Sequence, residues 1–160
     1  MREVLAEHGA SIRRLCRGYE RIGSLREELE QEILLQIWRG LERFRGDASL
    51  RTFVLRVAHN VAATHAGKEV RQPRGEDDGL ALEAAGPCLE NAAERRQQLA
   101  RLEAAVRQLR VRDRQLVLLH LEGLSHAEIG AVTGESRTNI STRLSRLRAE
   151  LSATVQGASR

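Results

Sequence analysis

Arginine, serine and threonine residues recur near the C-terminal end of the chain with no acidic residue among them. Residues 137–148 contain four arginines and no Asp or Glu. These side chains reach the phosphates and base edges of a DNA major groove, where an acid would be repelled. A solvated helix ending a bundle is the alternative, but such a face usually mixes Glu with Arg. The predicted DNA-facing residues are Arg137, Thr138, Ser141, Thr142, Ser145, Arg146 and Arg148, with Arg143 nearer the edge.

A helix-turn-helix over residues 125–148 would position these side chains. Ser125 with Glu128 forms a capping-box pattern that predicts the start of the first helix. Gly130 is small enough for the close approach of the two helices, and Gly134 supplies a residue that tolerates positive φ in the turn. Ser136 is placed to cap the second helix. The residues predicted to form the core are Ile129, Ile140, Leu144, Leu147 and Leu151.

A second charged surface is predicted on a helix that begins near Leu25, where Ser24 and Glu27 form another capping-box pattern. At about 100° per residue, acidic and amide side chains fall on one arc and apolar ones on the other side. The acidic arc would dock on a basic protein partner, since DNA phosphates would repel it. A solvated acidic face remains the alternative. The arc consists of Glu27, Glu28, Gln31, Glu32 and Leu35, and the core side of Leu29, Ile33 and Ile37.

Charge and composition divide the chain of 160 residues into two basic lobes and an acidic middle. The net charge is +4 overall, +2 over residues 1–66, −4 over residues 67–94 and +6 over residues 95–160. Few aromatic and proline residues favour helices over strands, whereas glycine and proline cluster in the middle. We predict an all-α protein with two small helical domains, 1–66 and 95–154, a flexible acidic linker, 67–94, and a tail, 155–160.

The remaining residue types predict neither a catalytic site nor a cofactor. Cys16 and Cys88 are far apart and are typical of reduced thiols. The five histidines have no metal-ligand spacing with either cysteine, and His120 and His126 are interpreted as surface or capping residues. There is no nucleophile motif, phosphate-binding glycine loop, membrane-spanning apolar run or secretory segment. We expect a cytoplasmic protein with no metal, small-molecule substrate or membrane insertion.

Two segments resemble conserved regions of the extracytoplasmic-function sigma factors. Residues 122–151, EGLSHAEIGAVTGESRTNISTRLSRLRAEL, are similar to region 4, which reads the minus-35 promoter element. Residues 25–65 resemble region 2 through an acidic EEL-EQE run, Trp38, the loop FRGDAS and Asn60, in that order. The resemblance implies that the 1–66 domain is sigma region 2, the 95–154 domain is sigma region 4, and the chain directs promoter-specific transcription initiation.

The same resemblance implies a role for each predicted surface. The acidic arc, Glu27, Glu28, Gln31 and Glu32, would meet the clamp helices of the largest subunit of core RNA polymerase. In the last helix, Ser141, Thr142, Ser145 and Arg146 would face bases, with Arg137 and Arg143 near phosphates. A flipped base of the minus-10 element would be captured by Arg45, Gly46, Asp47, Ser49, Leu50 and Asn60.

The FRGDAS loop has chemistry suited to an unstacked base. Arg45 can hold a phosphate, and Asp47 and Ser49 offer hydrogen bonds to base edges. The loop can also serve as a capping turn for the helix that follows, and both roles are compatible. The family usually carries an aromatic residue where Leu50 stands and tryptophan where Phe53 stands. This chain therefore offers fewer ring faces on which single-stranded DNA could stack.

The implied partners are core RNA polymerase, promoter DNA and an anti-sigma factor that could hold the chain at the membrane face. Two other functions remain open from the residues alone. One is a helix-turn-helix regulator that binds duplex DNA without polymerase. The other is an interaction module that sequesters an anti-sigma factor without directing transcription. A run-off transcription assay with core polymerase distinguishes the three.

Overall fold

The computed structural model describes the backbone of residues 2–69 and 89–157, and the side chains of residues 4–67 and 94–154. Over these ranges the chain forms seven α-helices and no strand, which confirms the all-α prediction. Residues 67–69 and 89–94, which were predicted to belong to the linker, are helical. The rest of the predicted linker, 70–88, lies outside the described residues. The helices are α1 Arg2–Tyr19, α2 Gly23–Leu41, α3 Leu50–Glu69, α4 Leu89–Gln108, α5 Val111–Leu121, α6 His126–Thr133 and α7 Arg137–Gly157.

The first lobe is a bundle of α1, α2 and α3. α2 buries four apolar residues at helical spacing, so the predicted division of this helix into a core side and an acidic side is confirmed. α1 and α3 supply the facing apolar side chains. The buried residues are Leu25, Leu29, Ile33 and Ile37 from α2, Ile12 and Leu15 from α1, and Val54 and Ala58 from α3.

The predicted Ser24 cap of α2 is wrong. The helix begins at Gly23, and its N-cap residue is Ile22, which makes no side-chain cap. Glu20 accepts a hydrogen bond from the Ile22 backbone N–H at 2.8 Å, and its other carboxylate oxygen lies 3.1 Å from His65 Nε2 on α3. The buried Glu20 thus orders the start of α2 and ties it to α3, which leaves Ser24 inside the first turn.

The second lobe contains the predicted helix-turn-helix. The capping box is confirmed, because Ser125 Oγ accepts from the Glu128 N–H at 3.3 Å and Glu128 Oε2 accepts from the Ser125 N–H at 2.8 Å. Gly134 has φ 77° in the turn. A Cβ on Gly130 would lie 2.8 Å from the Glu135 carbonyl oxygen. Ser136 Oγ accepts from the Asn139 N–H at 3.3 Å, which confirms the predicted cap of α7.

The two lobes pack directly against each other. α1 contacts α4 and α5, and α3 contacts α5 and α6. Gly18 of α1 lies so close to Leu118 of α5 that an added Cβ would come within 2.7 Å of the leucine side chain. Leu55 of α3 is buried in the apolar cluster of the second lobe. The lobes therefore share apolar contacts in this arrangement.

We expect Gly130→Ala to destabilise the fold by about 1–3 kcal/mol, because the new methyl group meets backbone rather than a movable side chain. Thermal unfolding by circular dichroism measures the effect as a lower Tm. Gly67→Ala is the control, since a Cβ there has open space within α3, and it should leave Tm unchanged or raise it. Equal Tm values for the two variants would contradict the close approach at Gly130.

Candidate nucleic-acid and protein interfaces

α7 presents a polar face to solvent and an apolar face to the core. Ile140, Leu144 and Leu147 are buried, because α7 packs on α4, α5 and α6 along this side. Arg146 is 68% exposed. Over residues 137–148 the outward face thus carries arginine, serine, threonine and one asparagine and no acid, which is the chemistry of a major-groove reader. The residues predicted to face DNA that are exposed are Arg137, Thr138, Ser141, Thr142, Ser145, Arg146 and Arg148.

Arg143 differs from its neighbours, because its guanidinium is held by two carboxylates. Arg143 Nη2 donates to Asp113 Oδ1 at 2.7 Å, and Nη1 donates to Glu135 Oε1 at 2.5 Å. The hydrogen bond with Glu135 raises the pKa of Arg143. The side chain is 19% exposed. Arg143 thereby ties α7 to the start of α5 and to the turn, and its predicted position near phosphates stays a prediction.

A histidine that was interpreted as a surface or capping residue contacts the outward face of α7. His120 Nε2 lies 3.0 Å from Arg148 Nη2, and the ring lies 6.3 Å from that of His126. Burial, followed by the charges of Arg148 and His126, lowers the pKa of His120. A neutral His120 can therefore accept from Arg148 and hold this arginine beside the other exposed residues of α7.

The FRGDAS loop joins α2 to α3 and is open to solvent. Arg45, Asp47 and Ser49 are exposed, and Gly46 has φ 80° in a place where an added Cβ would meet nothing within 4 Å. Ser49 also caps α3, because its Oγ accepts from the Thr52 N–H at 3.1 Å. The capping interpretation of the loop therefore holds for Ser49. Leu50, the first residue of α3, is half-buried.

Asn60 is not part of this loop. It is exposed on α3, ten residues after Leu50, which corresponds to about 15 Å along a helix. Asn60 instead lines a groove between α2 and α3 together with Glu28 and Glu32. The structure thus brings the predicted minus-10 residue Asn60 next to the predicted docking arc and separates it from the loop.

The acidic arc of α2 is exposed along its length, and Trp38, which was not predicted to be part of the arc, is exposed on the same helix. Glu32 Oε1 accepts from Gln36 Nε2 at 2.8 Å. Leu35 is 38% exposed and Trp38 53% exposed on the same helix. Exposed tryptophan beside charge is typical of protein interfaces. Leu29, Ile33 and Ile37 mark the core side of α2 by their helical spacing. Because Trp38 does not continue this spacing, its exposure could have been predicted from the sequence. The exposed polar residues of the arc are Glu27, Glu28, Gln31 and Glu32.

Two further properties concern only the residues that the structure describes. None of the helices there combines the length and apolarity needed to cross a bilayer. In the same part of the chain, no three His, Cys, Asp or Glu side chains come together as a metal site would require.

Comparisons with known proteins match both lobes. The sequence family Sigma-70 region 2 matches residues 4–72, and the family Sigma-70, region 4 matches residues 99–151. The chain is 25% identical to the RNA polymerase sigma factor NccH of Alcaligenes xylosoxydans xylosoxydans, over 96% of this chain and 86% of that protein. It is 27% identical to the RNA polymerase sigma factor CnrH of Cupriavidus metallidurans, over 94% of this chain and 84% of that protein.

A third relative and two solved structures agree with these matches. The ECF RNA polymerase sigma factor SigG of Mycobacterium tuberculosis is 40% identical over 46% of this chain and 20% of that protein. CnrH in complex with the cytosolic domain of CnrY has a TM-score of 0.70 at 23% identity, covering 97% of this chain and 86% of that one. RpoE in complex with the anti-sigma factor NepR from Bartonella quintana has a TM-score of 0.73 at 20% identity, covering 99% of this chain and 97% of that one. The two structures support the fold, and with both family regions matched in order the chain belongs to the extracytoplasmic-function group of sigma-70 family RNA polymerase sigma factors.

Proposed function

We propose that this chain binds core RNA polymerase through α2 and directs it to promoters that α7 reads, while the polymerase performs the chemistry. The observation that carries the proposal is the separation of two unlike surfaces on two lobes. One is an exposed acidic arc with apolar neighbours, and the other is a face over residues 137–148 that carries arginines and hydroxyls and no acid. An acidic surface suits a basic protein partner, and an arginine-rich helix suits duplex DNA.

In this proposal the FRGDAS loop holds a base of the minus-10 element. Its exposed position and the positive φ of Gly46 leave room for a base to approach the backbone. Asn60 would contact DNA at a second point or the polymerase beside the acidic arc, because it shares a groove with Glu28 and Glu32. The loop and Asn60 are therefore treated as two contact points rather than one pocket.

The packed lobes correspond to a resting state in this proposal. The minus-35 and minus-10 elements lie about 25 base pairs apart, or about 85 Å along straight DNA at 3.4 Å per step. A compact chain of this length is about 40 Å across. The packed arrangement therefore cannot reach both elements at once, and initiation requires the lobes to separate.

We also propose that an anti-sigma factor controls this separation. The relatives CnrH and RpoE have been solved in complex with the cytosolic domain of CnrY and with the anti-sigma factor NepR. A protein that covers faces of both lobes would keep them together. The chain would act in the cytoplasm and would be held at the membrane face where its partner is a membrane protein.

The first test of function is charge reversal in the acidic arc. The double variant Glu28→Lys and Glu32→Lys should weaken core polymerase binding at least about tenfold, which is about 1.4 kcal/mol, because repulsion replaces charge complementarity. Glu7→Lys is the control, since Glu7 is 69% exposed on α1, outside the arc. Fluorescence anisotropy with core polymerase measures the affinities. Unchanged affinity of the double variant, with helicity intact, would rule out docking through this arc.

The second test concerns Arg146, whose side chain is 68% exposed and lies 4.0 Å from Asp113 Oδ1. Arg146→Ala should reduce promoter-dependent transcription by reconstituted holoenzyme, because an arginine contact to a base edge contributes about 1–3 kcal/mol. If the reduction in transcription depends on the base pair at one promoter position, Arg146 contacts a base there. An equal loss on all sequences, with a salt slope lower by about one, identifies a phosphate contact. The control Arg112→Ala removes an exposed arginine of α5 and should transcribe normally. Wild-type transcription by Arg146→Ala, Ser141→Ala and Thr142→Ala at all salt concentrations would exclude α7 as the reader.

The third test measures lobe separation. Fluorophores at Ser24→Cys and Ser152→Cys, both exposed, should move apart by tens of ångströms when core polymerase binds. Cys88 is replaced by serine, and Cys16 stays because burial raises the pKa of its thiol to about 12, which suppresses labelling. A pair at Ala10→Cys and Ser24→Cys, within the first lobe, should keep its distance. Equal distances in free and bound protein for the first pair would contradict the opening.

A further inference from the structure

The guanidinium of Arg143 is enclosed by two carboxylates. Its Nε and Nη2 donate to Asp113 Oδ1 at 3.3 and 2.7 Å, and its Nη1 donates to Glu135 Oε1 and Oε2 at 2.5 and 2.6 Å. Each of the three side chains is less than one-fifth exposed. Every nitrogen of the guanidinium is thus engaged with an acid in a partly buried place, where charge-assisted hydrogen bonds are strong.

A DNA phosphate would compete poorly for this guanidinium. Asp113 and Glu135 contribute two negative charges against the single positive charge of Arg143, so the three side chains together carry a net negative charge. A phosphate that took over Arg143 would have to break its hydrogen bonds with both acids. It would also add a third anion beside them, which is electrostatically unfavourable. Arg143 is therefore a poor phosphate contact in spite of its place on α7.

The same two acids connect Arg143 to its neighbours on α7. Glu135, in the turn before α7, also accepts from Asn139 Nδ2 at 2.9 Å. Asp113 Oδ1 lies 4.0 Å from Arg146 Nη2. Because residues three or four positions apart are neighbours on a helix surface, Asn139, Arg143 and Arg146 form one strip along α7. The turn holds the first half of this strip, and α5 holds the second.

The polar strip adds direction to the apolar packing of α7. Ile140, Leu144 and Leu147 are buried on the core side of the helix, but apolar contacts are non-directional. Hydrogen bonds have defined distances and angles, so the contacts of Arg143 fix the rotation of α7 about its axis. That rotation determines where Arg146 points. A base contact depends strongly on this direction, because a base edge is recognised by hydrogen bonds of fixed geometry.

We propose that Arg143 is a positioning residue rather than a DNA contact, and that Asp113 and Glu135 determine specificity by keeping it from the phosphates. A phosphate contact strengthens binding to every sequence alike. An arginine withheld from phosphates therefore lowers binding to wrong sites without weakening any base contact. Arg146 is the reader that this arrangement orients. The inference rests on the proposed function of α7, and it replaces the position near phosphates that the family resemblance implied for Arg143.

The test measures two properties of the reconstituted holoenzyme. Selection from DNA duplexes with a randomised minus-35 element gives the preferred duplex, and its affinity relative to a scrambled duplex is the discrimination ratio. The affinity for each duplex across salt concentrations gives the salt slope. Arg143→Met should lower the discrimination ratio about tenfold, which is within the value of one base contact. It should leave the salt slope unchanged, because no phosphate contact is lost.

A phosphate contact at Arg143 would give the opposite pattern. Arg143→Met would then weaken binding to both duplexes equally and lower the salt slope by about one. This pattern, or an unchanged ratio with an unchanged slope, would overturn the proposal. Arg112→Met is the matched control, since it removes an exposed arginine of α5 beside Asp113 in the chain and should change neither property. A wild-type holoenzyme without any minus-35 preference would contradict the proposed function itself, which keeps the two claims apart.

A conservative variant separates positioning from loss of folding. Asp113→Asn keeps an acceptor oxygen for Arg143 and should retain the discrimination ratio to within about twofold. Asp113→Ala removes the acceptor and should lower the ratio as Arg143→Met does. Thermal unfolding by circular dichroism checks that the variants are folded at the temperature of the assay. Equal ratios for folded Asp113→Asn and Asp113→Ala would overturn the positioning role.

Removal of both acids tests whether they keep Arg143 from DNA. Asp113→Ala combined with Glu135→Ala should release Arg143 to a phosphate, which raises the salt slope by about one and strengthens binding to the scrambled duplex. Adding Arg143→Met to this double variant should reverse both changes. A folded double variant with the wild-type slope would overturn the role of the acids. If the double variant does not fold, the comparison of Asp113→Asn with Arg143→Met still decides.

Discussion

Leu55 of α3, a helix of the first lobe, is buried among Leu116, Leu119 and Ile140 of the second lobe. Burial of one leucine side chain contributes about 1.5–3 kcal/mol, and Gly18 allows Leu118 to pack closely from the opposite direction. The relative placement of the lobes depends on this packing of apolar side chains across their boundary. Two ion pairs join the lobes across the same boundary, Arg14 with Glu122 and Arg17 with Glu103.

Polar contacts across the same boundary add direction to this apolar packing. Arg14 holds Glu122 through two hydrogen bonds, at 2.7 and 2.8 Å, and Arg51 donates to the Glu122 carbonyl oxygen. Arg107 donates to the Arg17 carbonyl oxygen at 2.8 Å. The Arg14 side chain is 51% exposed, so solvent weakens its ion pair with Glu122, and we interpret these polar contacts mainly as fixing how the lobes meet. An assembly of this kind can open when a larger partner offers competing contacts.

Three acids of the second lobe hold arginines, and this shapes the charge around α7. Asp113 and Glu135 bind Arg143, and Glu122 binds Arg14. Asp113 also lies 4.0 Å from Arg146 Nη2, whereas over residues 137–148 α7 itself carries no acid that would repel phosphates. The first lobe does the reverse and exposes Glu27, Glu28 and Glu32. The placement of acids, more than the net charge of +4, distinguishes the two surfaces.

Local sequence determined the features that depend on neighbours along the chain. The apolar spacing of α2, the Ser125 capping box, the turn at Gly134 and the outward face of α7 each require residues within about one or two helical turns, so they could be predicted. Tertiary structure decided the rest. Glu20 replaced Ser24 at the start of α2 because it also reaches α3, and Arg143 turned inward because Asp113, thirty residues away, accepts from it. Asn60 and the FRGDAS loop were separated by the straight course of α3, and Leu55 entered the second lobe because packing between segments distant in the sequence brought α3 and α5 together.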